Sequence, residues 1–193
     1  MKTFTLKILL LVGILLLFLS FEVPSGWFKA GSKTESYDMG IDKGSGMDGK
    51  NAATIKSVDK EIDGYGTLMQ SFDPEKFRGK RIRLTGHIKS TNVAEKAGFW
   101  LRVGQANSQN FLAFDNMMDR PIVGTTDWKK YEIVLDVPEA ASKISYGALL
   151  RGTGQIWFDK LSFEIVDTST PTTGKKADRI KVKDEPMNLD FEN

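Results

Sequence analysis

Residues 125–164 have the sequence TTDWKKYEIVLDVPEAASKISYGALLRGTGQIWFDKLSFE. Apolar and polar residues alternate over residues 131–137, which is the period of a half-buried β-strand, and Pro138 ends the run. Gly152-Thr153-Gly154 marks a turn before an aromatic run. The segment therefore predicts three β-strands joined by tight turns.

The same alternation recurs upstream and organises the chain into one domain. It predicts further strands near residues 36–39, 52–57, 65–71, 81–90, 98–105 and 111–116, with a glycine-rich loop at 41–50. A chain of 193 residues with 40% hydrophobic residues can bury one core. We therefore predict an all-β fold, an antiparallel β-sandwich, over residues 26–166.

The two ends differ from this domain. Lys2 and Lys7 precede an apolar run over residues 8–19, which is shorter than the roughly 18 to 20 residues that span a bilayer. Residues 1–25 are predicted to be a signal peptide or, alternatively, an uncleaved membrane anchor. Either reading places the domain outside the cytoplasm, secreted or anchored. Residues 167–193 predict a polar tail whose last six residues could dock as an edge strand or begin another domain.

Charge and cysteine content exclude several classes of partner. The net charge of +2 comes from 27 basic and 25 acidic residues, so no strong field favours nucleic acid, and membrane contact is expected only through the N-terminal segment. The chain contains no cysteine, which excludes disulfides and thiolate metal sites. This composition is compatible with a bacterial envelope protein.

Four groups of residues occur in an order and spacing that resemble a known family. They are residues 48–55 (DGKNAATI), residues 77–86 (FRGKRIRLTG), Asp127-Trp128 with Tyr131, and Gly152-Thr153-Gly154 before Trp157 and Asp159. Over about residues 27–166 they resemble the carbohydrate-binding-module jelly rolls of the galactose-binding-like type. The chain is also similar to domains of bacterial proteins labelled as transcriptional regulators. The resemblance implies jelly-roll topology and a ligand on the concave sheet.

Strand alternation selects the candidate ligand-binding residues. Near residues 98–105, Phe99, Leu101 and Val103 share the core-facing parity, which turns Trp100 and Arg102 outward. An indole offers an apolar plate to a sugar ring, and Arg or His side chains donate to its hydroxyls. The predicted set is His87, Trp100, Arg102, Asp115, Asn116 and Arg151. The alternatives are a Trp100 covered by a loop or the tail and a His87 that is an ordinary surface residue.

We expect no cofactor, with one exception that the resemblance raises, a structural calcium ion. Relatives often hold it with a carboxylate from the last strand, another near the first strand, and oxygens of the glycine-rich loop. Asp159 matches the last-strand position and Asp48 could contribute from the loop, whereas Lys29 stands near the expected first-strand acid. The alternative is that Asp159 accepts from a backbone amide at a bulge predicted near Asp159 and Lys160.

No catalytic motif accompanies these residues. The sequence has no Gly-x-Ser-x-Gly elbow, no histidine-rich metal motif and no phosphate-binding loop before a helix. We therefore predict that the protein is not an enzyme but an extracytoplasmic binding module that recognises a glycan. Two alternatives stay open: a structural or sensory envelope domain that meets a protein partner and binds no sugar, and an enzyme whose carboxylates come from loops.

Overall fold

The fold was obtained as a computed structural model that describes residues 20–106 and 110–176. The strands in these residues are β1 (Phe28–Gly31), β2 (Tyr37–Asp42), β3 (Ala52–Ser57), β4 (Tyr65–Phe72), β5 (Lys80–Gly104), β6 (Phe111–Asp115), β7 (Ile122–Val137), β8 (Lys143–Arg151), β9 (Gln155–Val166) and β10 (Lys175–Lys176). Short 3-10 helices occupy Thr34–Ser36 and Glu75–Phe77. All pairings between these strands are antiparallel, so the predicted all-β antiparallel fold is confirmed.

Two sequence predictions fall outside this part of the chain. The apolar run at residues 8–19 and the last six residues, 188–193, are not among the described residues. Within residues 20–106 and 110–176, no helix combines the length and apolar character that a membrane span requires.

Strand β5 runs through both layers of the sandwich. Its first part, residues 81–90, lies between β7 and β9, and its second part, residues 96–104, pairs with β8 and, near its end, β6. One layer therefore continues from β9 to β3 and β2, and the other from β8 to β4 and β1.

The sequence predicted separate strands at 81–90 and 98–105, which is wrong: they form one strand of 25 residues. Register shifts near Ser90 and Val93, together with a left-handed Asn92 (φ 52°), bend the strand from one layer into the other without ending it.

The core lies between the two layers and follows the predicted alternation. Ile82, Leu84 and Ile88 from the first part of β5 are fully buried, as are Phe99, Leu101 and Val103 from its second part. The ring of Phe99 lies against Gly86, where an added Cβ would be 2.6 Å from its Cζ atom. The two parts of one strand thus pack on each other across the sandwich.

The predicted bulge near Asp159 is confirmed. Thr85 pairs with Ser162 but His87 pairs with Asp159, so β9 contains one extra residue at this point, and Lys160 adopts a left-handed φ of 56°. Beyond the extra residue, the side chains that would have pointed outward point to the core, and the reverse. Leu161 therefore packs against the core although it has the parity of the outward Trp157.

The described part of the tail, residues 167–176, continues along the sandwich beyond the predicted boundary at residue 166. Arg81 donates to the carbonyls of Thr168 and Thr170, and Thr173 exchanges hydrogen bonds with the backbone of Val134. Val134 is consequently 1% exposed although its parity predicted an outward side chain. Strand β10 then pairs with β6.

Candidate ligand-binding groove

A groove of about 720 Å³ lies on the outer face of the layer formed by β1, β4, β8, the second part of β5 and β6. Apolar side chains from all five strands contribute to it, including Phe28, Met69, Trp100, Phe114 and Leu149. Polar side chains among them include Thr67, Ser71, Asn116 and Ser145. An apolar surface with a few fixed polar groups is typical of ligand sites.

Trp100 is held in this groove by a hydrogen bond to a neighbouring strand. It pairs with Gly147 of β8, yet its Nε1 donates to Thr67 Oγ1 on β4 at 2.8 Å. Because β8 lies between β5 and β4, the indole must cross β8 to reach Thr67. Thr67 is itself fixed, since its hydroxyl donates to the Ala148 carbonyl at 2.6 Å.

Gly147 makes this arrangement possible. An added Cβ at Gly147 would be 2.3 Å from the Leu68 carbonyl oxygen and 2.9 Å from Met69 Cα, so any side chain here would collide with the β4 backbone. Glycine also leaves the face of β8 clear for the indole that crosses it. The half-buried Trp100 is therefore a fixed apolar plate in an open groove.

Four of the predicted ligand residues line the groove: Trp100, Arg102, Asn116 and Arg151. Asp115, the last residue of β6, does not, because successive side chains point to opposite sides and its neighbours Phe114 and Asn116 are the ones that line the groove. The Asp115 carboxylate is 4% exposed and accepts from Arg120 Nη2 at 2.7 Å, the Met117 amide at 2.7 Å and Thr173 Oγ1 at 2.6 Å.

His87 lies on the other layer, away from Trp100. It pairs across strands with Lys130 of β7 and Asp159 of β9, and its buried Nδ1 has no hydrogen-bond partner among the described residues. The alternation correctly predicted that His87 and Trp100 both face away from the core. Because β5 changes layer between them, however, their outward faces are opposite sides of the sandwich.

Sequence reasoning missed most of the groove. Thr67 and Met69 on β4, Lys96 on β5, and Lys143 and Leu149 on β8 all line it. Alternation alone groups them correctly within each strand. What the sequence does not reveal is that β8 lies between β4 and β5, which is the adjacency that brings these groups together.

Positive side chains occur at both ends of the groove. Lys96 and Arg151 pair across β5 and β8, and Lys143 pairs with the last residue of β5 near Arg102. Arg151 donates to Glu95 at 2.7 Å and to Asp63 at 2.9 Å, and its pKa is raised by the bond to Glu95. Burial lowers the pKa of Lys96, and the charge of Arg151 lowers it further.

Comparison with known proteins supports the fold. No protein-family model matches the chain. A Bacillus subtilis (strain 168) protein named "uncharacterized HTH-type transcriptional regulator YbfP" is 44% identical over 168 residues, which cover 86% of this chain and 56% of that protein. The chain thus spans little more than half of that relative's length. The predicted similarity to a protein labelled as a regulator is confirmed.

Solved structures share the architecture at low sequence identity. The CBM22-1 xylan-binding domain of Paenibacillus barcinonensis Xyn10C matches with a TM-score of 0.53 and 13% identity, over 76% of this chain and 90% of that one. The chain has the jelly-roll fold of the carbohydrate-binding modules. The Stig cyclase Fisc of Fischerella sp. TAU matches this jelly roll with a TM-score of 0.51 and 14% identity, over 76% and 87% of the two chains. The fold therefore occurs in proteins of different activity.

The carboxylates predicted to hold calcium in this jelly roll face a lysine. Lys160 Nζ donates to Asp48 Oδ2 at 2.9 Å, and this hydrogen bond, with the charges of Asp48 and Asp159, raises the pKa of Lys160. Asp159 accepts from its neighbour's amide at 2.7 Å and from the Met47 amide at 3.3 Å. The described residues include no group of three or more His, Asp or Glu side chains placed to hold a metal ion.

These residues do not fit a calcium ion, which takes about six to eight oxygen ligands. The arrangement is that of an ion pair, with Asp159 accepting from backbone amides as in the alternative given above. Adding calcium to the metal-free protein is expected to leave the unfolding temperature unchanged, because Lys160 already balances Asp48. Thermal unfolding with calcium and with a chelator checks this. A calcium-dependent rise that disappears in Asp159→Asn would establish the site.

Proposed function

We propose that the protein is a non-catalytic, extracytoplasmic glycan-binding module that holds sugar rings against Trp100. The observation that carries the proposal is the indole fixed across Gly147 by Thr67 in an open groove. A plate that is already immobile loses little conformational entropy when a sugar stacks on it. Arg102 and Asn116 line the same groove and can supply hydrogen-bond donors and an acceptor.

The fold relatives support this proposal. A carbohydrate-binding module and this chain share the jelly roll over most of both lengths. The non-catalytic role is part of the proposal, since a cyclase has the same fold. The extracytoplasmic location rests on the basic and apolar pattern of residues 1–19. Protease accessibility of the domain in intact and lysed cells tests that location.

Replacing Trp100 by Ala is expected to weaken glycan binding about thirtyfold or more, which corresponds to about 2 kcal/mol. The reason is that the apolar plate disappears while the polar groups around it remain. Isothermal titration against a panel of soluble neutral and acidic polysaccharides measures the change. Thermal unfolding of the variant should stay cooperative.

Trp157→Ala is the matched control for this experiment. Trp157 is also a half-buried indole with a fixed Nε1, which donates to Asp42 Oδ2 at 2.7 Å, but it belongs to the other layer. Its loss should leave affinity within about twofold, since it is remote from the groove. Equal losses in the two variants would contradict the assignment of the groove.

A structural or sensory envelope domain is the second candidate, and the label of the Bacillus subtilis relative as a transcriptional regulator favours its sensory form. In that case the groove would meet a protein and no saccharide. The same titration separates the candidates. A folded wild-type protein that binds none of the polysaccharides would favour the second candidate and contradict the first.

A further inference from the structure

The charged groups that line the groove have one sign. Lys96, Arg102, Lys143 and Arg151 contribute to the lining, whereas no Asp or Glu among the described residues does. The whole chain is almost neutral, with 27 basic and 25 acidic residues. The excess is therefore a local property of this surface.

Among the described residues, two of these cations form no salt bridge. Arg151 is bound by Glu95 and Asp63 outside the groove. Lys96 and Lys143, in contrast, form no salt bridge within the described part of the chain, and the Lys96 ammonium donates to the Met118 sulfur at 3.1 Å. A thioether is a weak acceptor, so an anion that replaces it gives the partly buried Lys96 ammonium a stronger, charge-assisted hydrogen bond.

The two lysines lie at opposite ends of the groove with Trp100 between them. Lys96 pairs with Arg151 at one end of β8, and Lys143 is the first residue of β8 at the other end. The strand between those ends is about 26 Å long at about 3.3 Å per residue. A single small anion cannot reach both lysines, whereas an extended polymer with repeated anionic groups can.

We propose that the groove selects an acidic polysaccharide, with a sugar ring on Trp100 and anionic groups of the same chain at Lys96 and Lys143. This inference rests on the proposed function and adds the chemical class of the ligand. The shared chemistry is a repeated negative charge on a glycan. Carboxylates of uronic acids and phosphates of phosphodiester-linked sugars both provide it.

The test compares acidic polymers with neutral ones, and for the carboxylate arm the two members of each pair differ only in charge. Polygalacturonate and glucuronoxylan are each titrated beside the same polymer after its carboxyl groups are reduced to alcohols, and a polysaccharide of hexoses joined by phosphodiesters provides the phosphate arm. We expect at least one acidic polymer to bind about tenfold or more tightly than its neutral counterpart or, for the phosphate arm, than a neutral glycan. The preference should shrink between about 0.1 M and about 1 M salt, over which the Debye length falls from about 10 to about 3 Å.

The double variant Lys96→Gln/Lys143→Gln is expected to lose about tenfold in affinity for the acidic polymer and nothing for the neutral one, as removal of two ion pairs predicts. Lys56→Gln/Lys130→Gln is the matched control. It removes the same charge from exposed positions on β3 and β7 of the other layer, and should change neither affinity.

The outcomes separate this inference from the proposed function. Equal, salt-independent binding of acidic and reduced polymers would overturn the acidic ligand and leave the glycan module intact. Binding of no polysaccharide would overturn both. Binding of polyglutamate as tightly as the acidic glycan, with no effect of Trp100→Ala, would assign the basic groove to an acidic protein segment instead.

Discussion

Replacing Asp115 by Ala should lower the free energy of unfolding by about 3 kcal/mol, although sequence reasoning placed this residue in the ligand site. The carboxylate is 4% exposed and accepts from Arg120, from the amide of the buried Met117 and from Thr173. Its loss leaves an amide without an acceptor and releases Thr173, which ties the tail to β7. Chemical denaturation measures the change.

Asp119→Ala provides the control, because Asp119 also pairs with Arg120, at 2.8 Å, but its side chain is 73% exposed. Its removal should cost less than about 1 kcal/mol, as for other exposed ion pairs. Glycan affinity, measured where each variant is folded, should be retained in both. A large loss of affinity in Asp115→Ala with unchanged stability would return Asp115 to the ligand site.

Phe99→Ala should destabilise the protein by about 4 kcal/mol, which is typical of removing a buried aromatic side chain. Phe99 is fully buried, lies against Gly86 and packs edge-on against Phe158, with ring centroids 6.2 Å apart. The ring joins the two parts of β5 across the core. Phe28→Ala, at a site that is 46% exposed, should cost about 0.5 kcal/mol or less in the same denaturation experiment.

Gly86 and Phe99 should also depend on each other. Gly86→Ala alone is expected to cost about 1–3 kcal/mol, since its Cβ would meet the Phe99 ring at 2.6 Å. Phe99→Leu shortens that side chain, so the double variant should be more stable than the sum of the single effects by at least about 0.5 kcal/mol. Strict additivity would show that the cost of Gly86→Ala does not come from its contact with the Phe99 ring.

The sequence was sufficient to predict which side of a strand a side chain faces at several positions. Alternation correctly predicted the buried face at Phe99, and the bulge predicted near Asp159 and Lys160 was found there. It also turned Trp100 outward into the groove. These outcomes depend on the two-residue period of a strand, which is a local property.

Long-range adjacency explains what the sequence did not reveal. Nothing near residues 90–97 indicates that the chain changes layer, so His87 was grouped with Trp100 although they lie on opposite faces. Likewise, Asp115 and Asn116 were both predicted to bind ligand, but Asp115 at the end of β6 points inward and only Asn116 lines the groove. The role of Lys143 in lining the groove follows only from the pairing of β8 with β5.

The continuity of β5 has a consequence for folding kinetics. All of the strands that β5 pairs with, β6 to β9, come later in the chain, and its first residues pair with the end of β9 at Val166. A growing chain therefore cannot close either layer until nearly the whole domain has been made. Such non-local pairing places refolding in the millisecond to second range, which stopped-flow fluorescence of the tryptophans would measure.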